Sequence, residues 1–146
     1  MQSLLDIDNY FVEEIAVKVN PEFRGKVVKS ELNFSFDILR NGEETGKFMI
    51  LMNIKIGHSS KGLGNTPYMI KLNLRGFFSF NPKADEVTIN KMIGGNGLSI
   101  LYGVARGIVA QVTANGPYGK FILPAANLTG ALKKKAKEQE KQIVNK

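Results

Sequence analysis

Apolar and polar positions alternate along the first half of the chain. Ile15, Val17 and Val19 alternate with Ala16 and Lys18 until Pro21 stops the pattern. Leu32, Phe34, Phe36 and Ile38 alternate with Asn33, Ser35 and Asp37. Successive side chains of a strand point to opposite faces, so this period of two predicts a sheet with one buried face. Arg40-Asn41-Gly42-Glu43 is a turn signal. Lys47 to Ile56 begins apolar on both sides and predicts a strand covered on both faces. Gly57 to Pro67, rich in Gly, Ser and Asn, predicts a surface loop. Tyr68, Ile70, Leu72, Leu74, Gly76, Phe78 and Phe80 then mark one face of a long fourth strand, whose other face carries Met69, Lys71, Asn73, Arg75 and Phe77. Asn81-Pro82 ends it.

The second half changes to a helical period. Asp85 to Ile93 predicts a short helix, ended by Gly94-Gly95-Asn96-Gly97. From Leu98 to Asn115, Leu101, Val104, Ala105, Ile108, Val109 and Val112 recur at helical spacing. Asn115-Gly116-Pro117 stops that helix. Tyr118 to Pro124 predicts an extended connector, and Asn127 an N-cap for a last helix from Leu128 into a lysine-rich tail. Leu128, Leu132 and Ala136 lie along one side of it, continued by Gln139 and Ile143. Four strands followed by helices predict an α+β fold with an antiparallel sheet, not βαβ units. The 146 residues suit one domain, 1–146, with the tail starting at about Lys133.

Composition narrows the chemistry. Without cysteine there is no disulfide framework, thiolate metal site or cysteine nucleophile. The start, Met1 to Tyr10, lacks the basic opening and apolar core of a signal peptide. No apolar run reaches the roughly 20 residues that span a bilayer. A cytoplasmic location without membrane insertion is the expectation. The net charge is +7, and the stretch from Lys133 to Lys146, with six lysines and two glutamates, holds most of it. The sole histidine, His58, sits in the Gly/Ser loop. Asp6/Asp8, Glu13/Glu14 and Glu43/Glu44 lie near strand ends or turns and read as exposed charge, although a carboxylate pair drawn from distant parts of the chain stays open. Gly116-Pro117-Tyr118-Gly119-Lys120 fails as a phosphate loop: Ala114 replaces its first glycine and Phe121 the magnesium-holding Ser or Thr. Gly62 and Gly64 precede a strand, and Pro67 replaces the third glycine of a dinucleotide fingerprint. No catalytic residue, metal or cofactor is expected. Lys71, Arg75 and Phe77 on one strand face offer a minority reading as a nucleic-acid-binding module.

Aromatic residues crowd the strands and the connector. Adjacent Phe77 and Phe78 must point to opposite faces of a strand. Helices can cover one face; the other then needs a partner subunit or a ligand.

The second half resembles the SecB family of protein-export chaperones. Gly76-Phe77-Phe78-Ser79-Phe80 is similar to the family's Gly-x-Phe-Ser-Ile segment, and Ile100-Leu101-Tyr102-Gly103-Val104-Ala105-Arg106 to its Ile-Leu-Phe-Pro-Tyr-Ala-Arg helix opening. The connector from Gly116 to Asn127 matches in length, with the Gly, a central aromatic, a Leu and the final Asn in place. Leu128-Thr129-Gly130-Ala131-Leu132 resembles the family's last helix start, so the likeness covers residues 70–135. It implies a four-stranded antiparallel sheet with a long helix and a C-terminal helix on one side. It also implies dimers of dimers, and apolar grooves that hold unfolded or nascent polypeptide without ATP. By the same resemblance, Phe77, Phe78, Phe80, Tyr118 and Phe121 line or border the peptide groove. Ile100, Leu101, Tyr102, Ala105 and Arg106 fall where the long helix packs between subunits. Gly103 and Val104 replace Pro and Tyr, and Pro124 comes one place early. Export members of the family dock a translocation motor through acidic surface, and the +7 charge argues against that docking here. Relatives that protect an antitoxin are the other pathway the resemblance offers. An oligomeric accessory protein that binds no client is a further alternative.

Overall fold

The computed structural model describes residues 3–25, 32–57, 66–128 and 130–136. Strict alternation gives the fourth strand its two faces, and the rest of the fold is arranged around it. The strands are β1 (Leu5–Val19), β2 (Leu32–Arg40), β3 (Lys47–Ile56) and β4 (Tyr68–Phe80). They form one antiparallel sheet in the order β1-β4-β3-β2. The first strand therefore pairs with the last, and β1 and β2 are the edges. In the β2–β3 turn the Asn41 side-chain oxygen accepts the N–H groups of Glu43 and Glu44, at 2.8 and 3.1 Å. Gly46 supplies the positive φ, +78°, that leads into β3.

One sheet face is dry. Phe48, Ile50, Met52, Ile54 and Ile56 of β3, and Tyr68, Ile70, Leu72, Leu74, Phe78 and Phe80 of β4, are all buried there. The helices α1 (Glu86–Met92) and α2 (Leu98–Thr113) lie on this side. The buried stripe of α2 is Leu98, Leu101, Tyr102, Ala105, Val109 and Thr113. It approaches β4 at Gly76, where an added Cβ would stand 2.9 Å from Leu101. The opposite face stays open, with Met49 and Leu51 of β3 only half-buried and Asn53 and Lys55 exposed. The expected covering of β3 on both faces is thus corrected to one.

A second correction concerns Gly94-Gly95-Asn96-Gly97, which does not end the helix. Ile93–Gly97 forms a π-helical turn that joins α1 directly to α2. None of these glycines has a positive φ. They serve close approach instead: a Cβ on Gly97 would lie 3.0 Å from Ile50, and one on Gly94 3.1 Å from Leu132. Asp85 caps α1, accepting the Thr88 N–H at 2.8 Å. Asn127 caps the last helix as the sequence predicts, accepting the Gly130 N–H at 2.9 Å. That helix is described through residue 136. Lys135 reaches over the edge of β2, donating to the Phe36 carbonyl and lying 2.6 Å from the Asp37 carboxylate. His58, most of the 57–67 loop, Gln139, Ile143 and the lysines beyond residue 136 lie outside the described residues. Among the described residues no helix is long and apolar enough to cross a membrane.

Candidate functional site

The edge strand β1 carries the exposed apolar surface. Its pairing with β4 slips twice, between Ile7 and Asn9 and between Val12 and Glu14. Each slip is a β-bulge that leaves one residue, Asp8 or Glu13, without a partner in the ladder. Across both bulges one apolar row keeps to the helix side. Tyr10, Val12, Ile15 and Val19 stand opposite Gly76, Leu74, Leu72 and Tyr68, all on the dry face. Yet these four are 45, 38, 38 and 46% exposed. The helices approach β1 as they do β4 but leave these four side chains half-covered, and the apolar row forms a shelf beside α2. The Tyr102 ring of α2 meets Phe34 of β2 edge-on at 5.9 Å, so that flank of the helix faces β2. Val112 of α2 is also 44% exposed.

Tyr118 closes one end. Its ring lies 4.9 Å from Phe23 and 5.9 Å from Tyr68, and its hydroxyl donates to the Asn20 carbonyl at 2.9 Å. Buried Tyr68 sets this position. Its hydroxyl donates to the Gly119 carbonyl at 2.8 Å and accepts the Tyr118 N–H at 3.1 Å. Thr113 adds a further tie from the end of α2, accepting the Phe121 N–H at 2.8 Å. The connector is thereby anchored to the sheet beside Val19.

A second apolar surface lies on the open face. Phe77 packs against Phe11 at 5.8 Å, and Arg75 sits over the Phe11 ring while pairing with Glu13. A cavity of about 370 Å³ opens beside it toward the β2–β3 turn, with Leu39, Met49 and Phe77 among its lining.

The residues singled out from the sequence do not converge. Phe77 is on the open face and Tyr118 at the end of the shelf, whereas Phe78, Phe80 and Phe121 are core residues, 1, 8 and 8% exposed. Leu101, Tyr102 and Ala105 are buried against the sheet, Ile100 is half-buried, and Arg106 is exposed. Burial raises the Tyr102 phenol pKa, and the Arg106 charge partly offsets it. The shelf residues Tyr10 and Val12 escaped sequence reading because the bulges break the period. The apolar positions run 5, 7, then 10, 12, then 15, 17, 19, which is a period of two with one residue inserted twice. Among the described residues no three His, Cys, Asp or Glu side chains are placed to share a metal ion.

The fold has a counterpart among solved structures. Residues spanning 84% of this chain superpose on 91% of the SecB-like chaperone of Mycobacterium tuberculosis, solved in complex with a ChAD peptide from the HigA1 antitoxin, with a TM-score of 0.60 and 12% identity. The fold is SecB-like. A protein of unknown function from Streptococcus agalactiae has a TM-score of 0.46 and 11% identity over 83% of this chain and 97% of its own. In sequence, an uncharacterized protein of Methanocaldococcus jannaschii is 26% identical over 130 residues, 88% of this chain and 82% of that one. No family model matches the chain.

Proposed function

We propose that this protein is a SecB-like holdase that binds unfolded polypeptide segments without ATP and catalyses no reaction. The observation that carries the reading is the β1 shelf: an edge strand whose helix-side row has four exposed apolar side chains, with half-buried Val17 between the last two. An extended client segment can add to the outer edge of β1 through its backbone. Its apolar side chains then cover Tyr10, Val12, Ile15 and Val19, ending against Tyr118. Full burial of a side chain of this size stabilises by about 1.5–3 kcal/mol. Completing the burial of four half-covered ones therefore supplies several kcal/mol in total. The other edge is less suited, since Lys135 occupies a β2 carbonyl.

The SecB-like neighbour bound to an antitoxin peptide supports a polypeptide client, and an antitoxin-like client fits this basic chain better than an export substrate handed to a motor. Cytoplasmic work and self-association as a dimer or tetramer belong to the same reading. The outer side of α2 suits close helix packing, because Gly103 and Gly107 leave open space beside Ile100 and Arg106. The nucleic-acid alternative is weaker, since two of its cations are engaged: Arg75 pairs with Glu13, and Lys71 with Glu14 at 3.2 Å.

The test is light scattering of a chemically denatured client diluted into buffer without nucleotide. A several-fold molar excess of this protein should suppress its aggregation. Unchanged aggregation at that excess sinks the proposal.

A further inference from the structure

The open sheet face is ordered along the strands. Leu39, Met49 and Phe77 stand in register across β2, β3 and β4, and Leu51 and Phe11 flank Arg75 in the next row. Together they make an apolar band across the sheet, with Leu39 47% and Phe11 43% exposed. Toward the β2–β3 turn the face is acidic: Asp6, Asp8, Glu43 and Glu44 are offset there by Lys47, 3.7 Å from Asp8. Toward the opposite end it is basic. Lys55 and Lys71 are directly opposed on β3 and β4, with Lys18 beyond them and Glu14 the acidic neighbour. Like charges directly opposite one another destabilise a sheet. Among the described residues Lys55 has no ion-pair partner, and neither do the carboxylates of Glu43 and Glu44.

An acidic end, an apolar band and a basic end are self-complementary. A two-fold axis along the band reverses the strand direction, so band meets band and each basic end meets the other acidic end. Lys55 lies about 20 Å from Met49 along β3, at about 3.3 Å per residue, the Glu43–Glu44 turn lies beyond Lys47 on the other side of the band, and stacked sheets sit about 10 Å apart. Long side chains bridge that gap. We propose that the open face is an interface between two copies of this chain, packed sheet on sheet, with Lys55 and Lys71 of each facing Glu43 and Glu44 of the other. Four strands of about ten residues give a flat footprint of about 600 Å² per copy. That is the low end for a specific interface, so the pairing is reversible and concentration-dependent. It is separate from the β1 shelf and from the outer side of α2.

Sedimentation velocity on the full chain, over a concentration series at low salt, tests it. Lys55→Glu alone, and Glu43→Lys with Glu44→Lys, should each raise the dissociation constant of one association step at least ten-fold. A one-to-one mixture of the two variants should recover most of that step, because one contact keeps its native charges and in the other the reversed charges at positions 55 and 43–44 attract, opposed only by Lys71. At a protein concentration well below the dissociation constant, Lys55→Glu should not lower the melting temperature, since it replaces a like-charge pair with an attractive one; this separates lost association from lost folding. A parent without a step sensitive to Lys55→Glu, or a mixture that stays apart, overturns the proposal. So does a Phe77→Ser variant that loses client binding while keeping the parent's association, which would assign the face to the client.

Discussion

Replacing Tyr68 with Phe removes one oxygen from the junction that holds Tyr118 in place. The residue is 1% exposed, so the ring stays packed and the loss is confined to hydrogen bonding. Two backbone groups lose their partner: the Gly119 carbonyl, 2.8 Å from the hydroxyl, and the Tyr118 N–H, 3.1 Å from it. A buried group left unsatisfied costs about 1–3 kcal/mol. Both groups are part-buried and recover some hydration, which places the total at about 2–3 kcal/mol. For a chain of this size a loss of 1 kcal/mol lowers the melting temperature by about 2–4 °C, so Tyr68→Phe is expected to melt about 5–10 °C lower. Thermal unfolding followed by circular dichroism reads this directly. The same variant should bind an unfolded client more weakly at a temperature where it is still folded, because Tyr118 is no longer tied to the sheet. A melting temperature within about 2 °C of the parent would refute the reasoning, since it would mean that the hydroxyl anchors nothing.

Other expectations follow from the same geometry. Gly97→Ala pushes a methyl to within 3.0 Å of Ile50 and should destabilise by about 1–3 kcal/mol, whereas Gly95→Ala enters open space and should stabilise by up to about 1 kcal/mol; chemical denaturation of both separates packing from helix preference. The Asp85 carboxyl is held below its ordinary range by the backbone N–H of Thr88, and Glu86 by its hydrogen bonds with Arg40. Depressed folded pKa values contribute stability that is present above the ordinary carboxylate range and is lost as the pH falls through the lowered values. Asp85→Asn keeps a cap but removes one titration, so its stability should fall less steeply with acid than the parent's. Burial raises the Tyr102 phenol and Arg106 opposes the shift, so Arg106→Gln should move its ionisation to still higher pH in an ultraviolet titration.

Much of the fold is legible because burial follows simple periods. Leu32 to Ile38 and Tyr68 to Phe80 alternate without interruption, and both form strands where the pattern puts them. Asn127 caps the last helix because its side chain can reach the Gly130 N–H. The first strand is legible only from Ile15 onward, because Asp8 and Glu13 each insert a residue and move the apolar set out of phase. The glycines at 94–97 mislead for a different reason. A glycine serves a break and a close contact equally well, and only the neighbours, Leu132 and Ile50, decide which. The site was harder to read than the core. Nothing local distinguishes Phe78, buried under α2, from Phe77 on the open face; their difference arises from which side of the sheet the helices cover. Tyr10 and Val12 are exposed for the same non-local reason: α2 and the π-helical turn reach β1 but leave these two side chains half-covered.

The claim that unfolded polypeptide adds to β1 can be measured by backbone amide exchange on the protein, with and without a permanently unfolded client. Client binding is expected to slow exchange along residues 5–19, most strongly between Tyr10 and Val19, and to leave the interior strand β3 unchanged. Saturating client that leaves β1 exchange as fast as in the free protein would contradict the assignment of the shelf as the holding site.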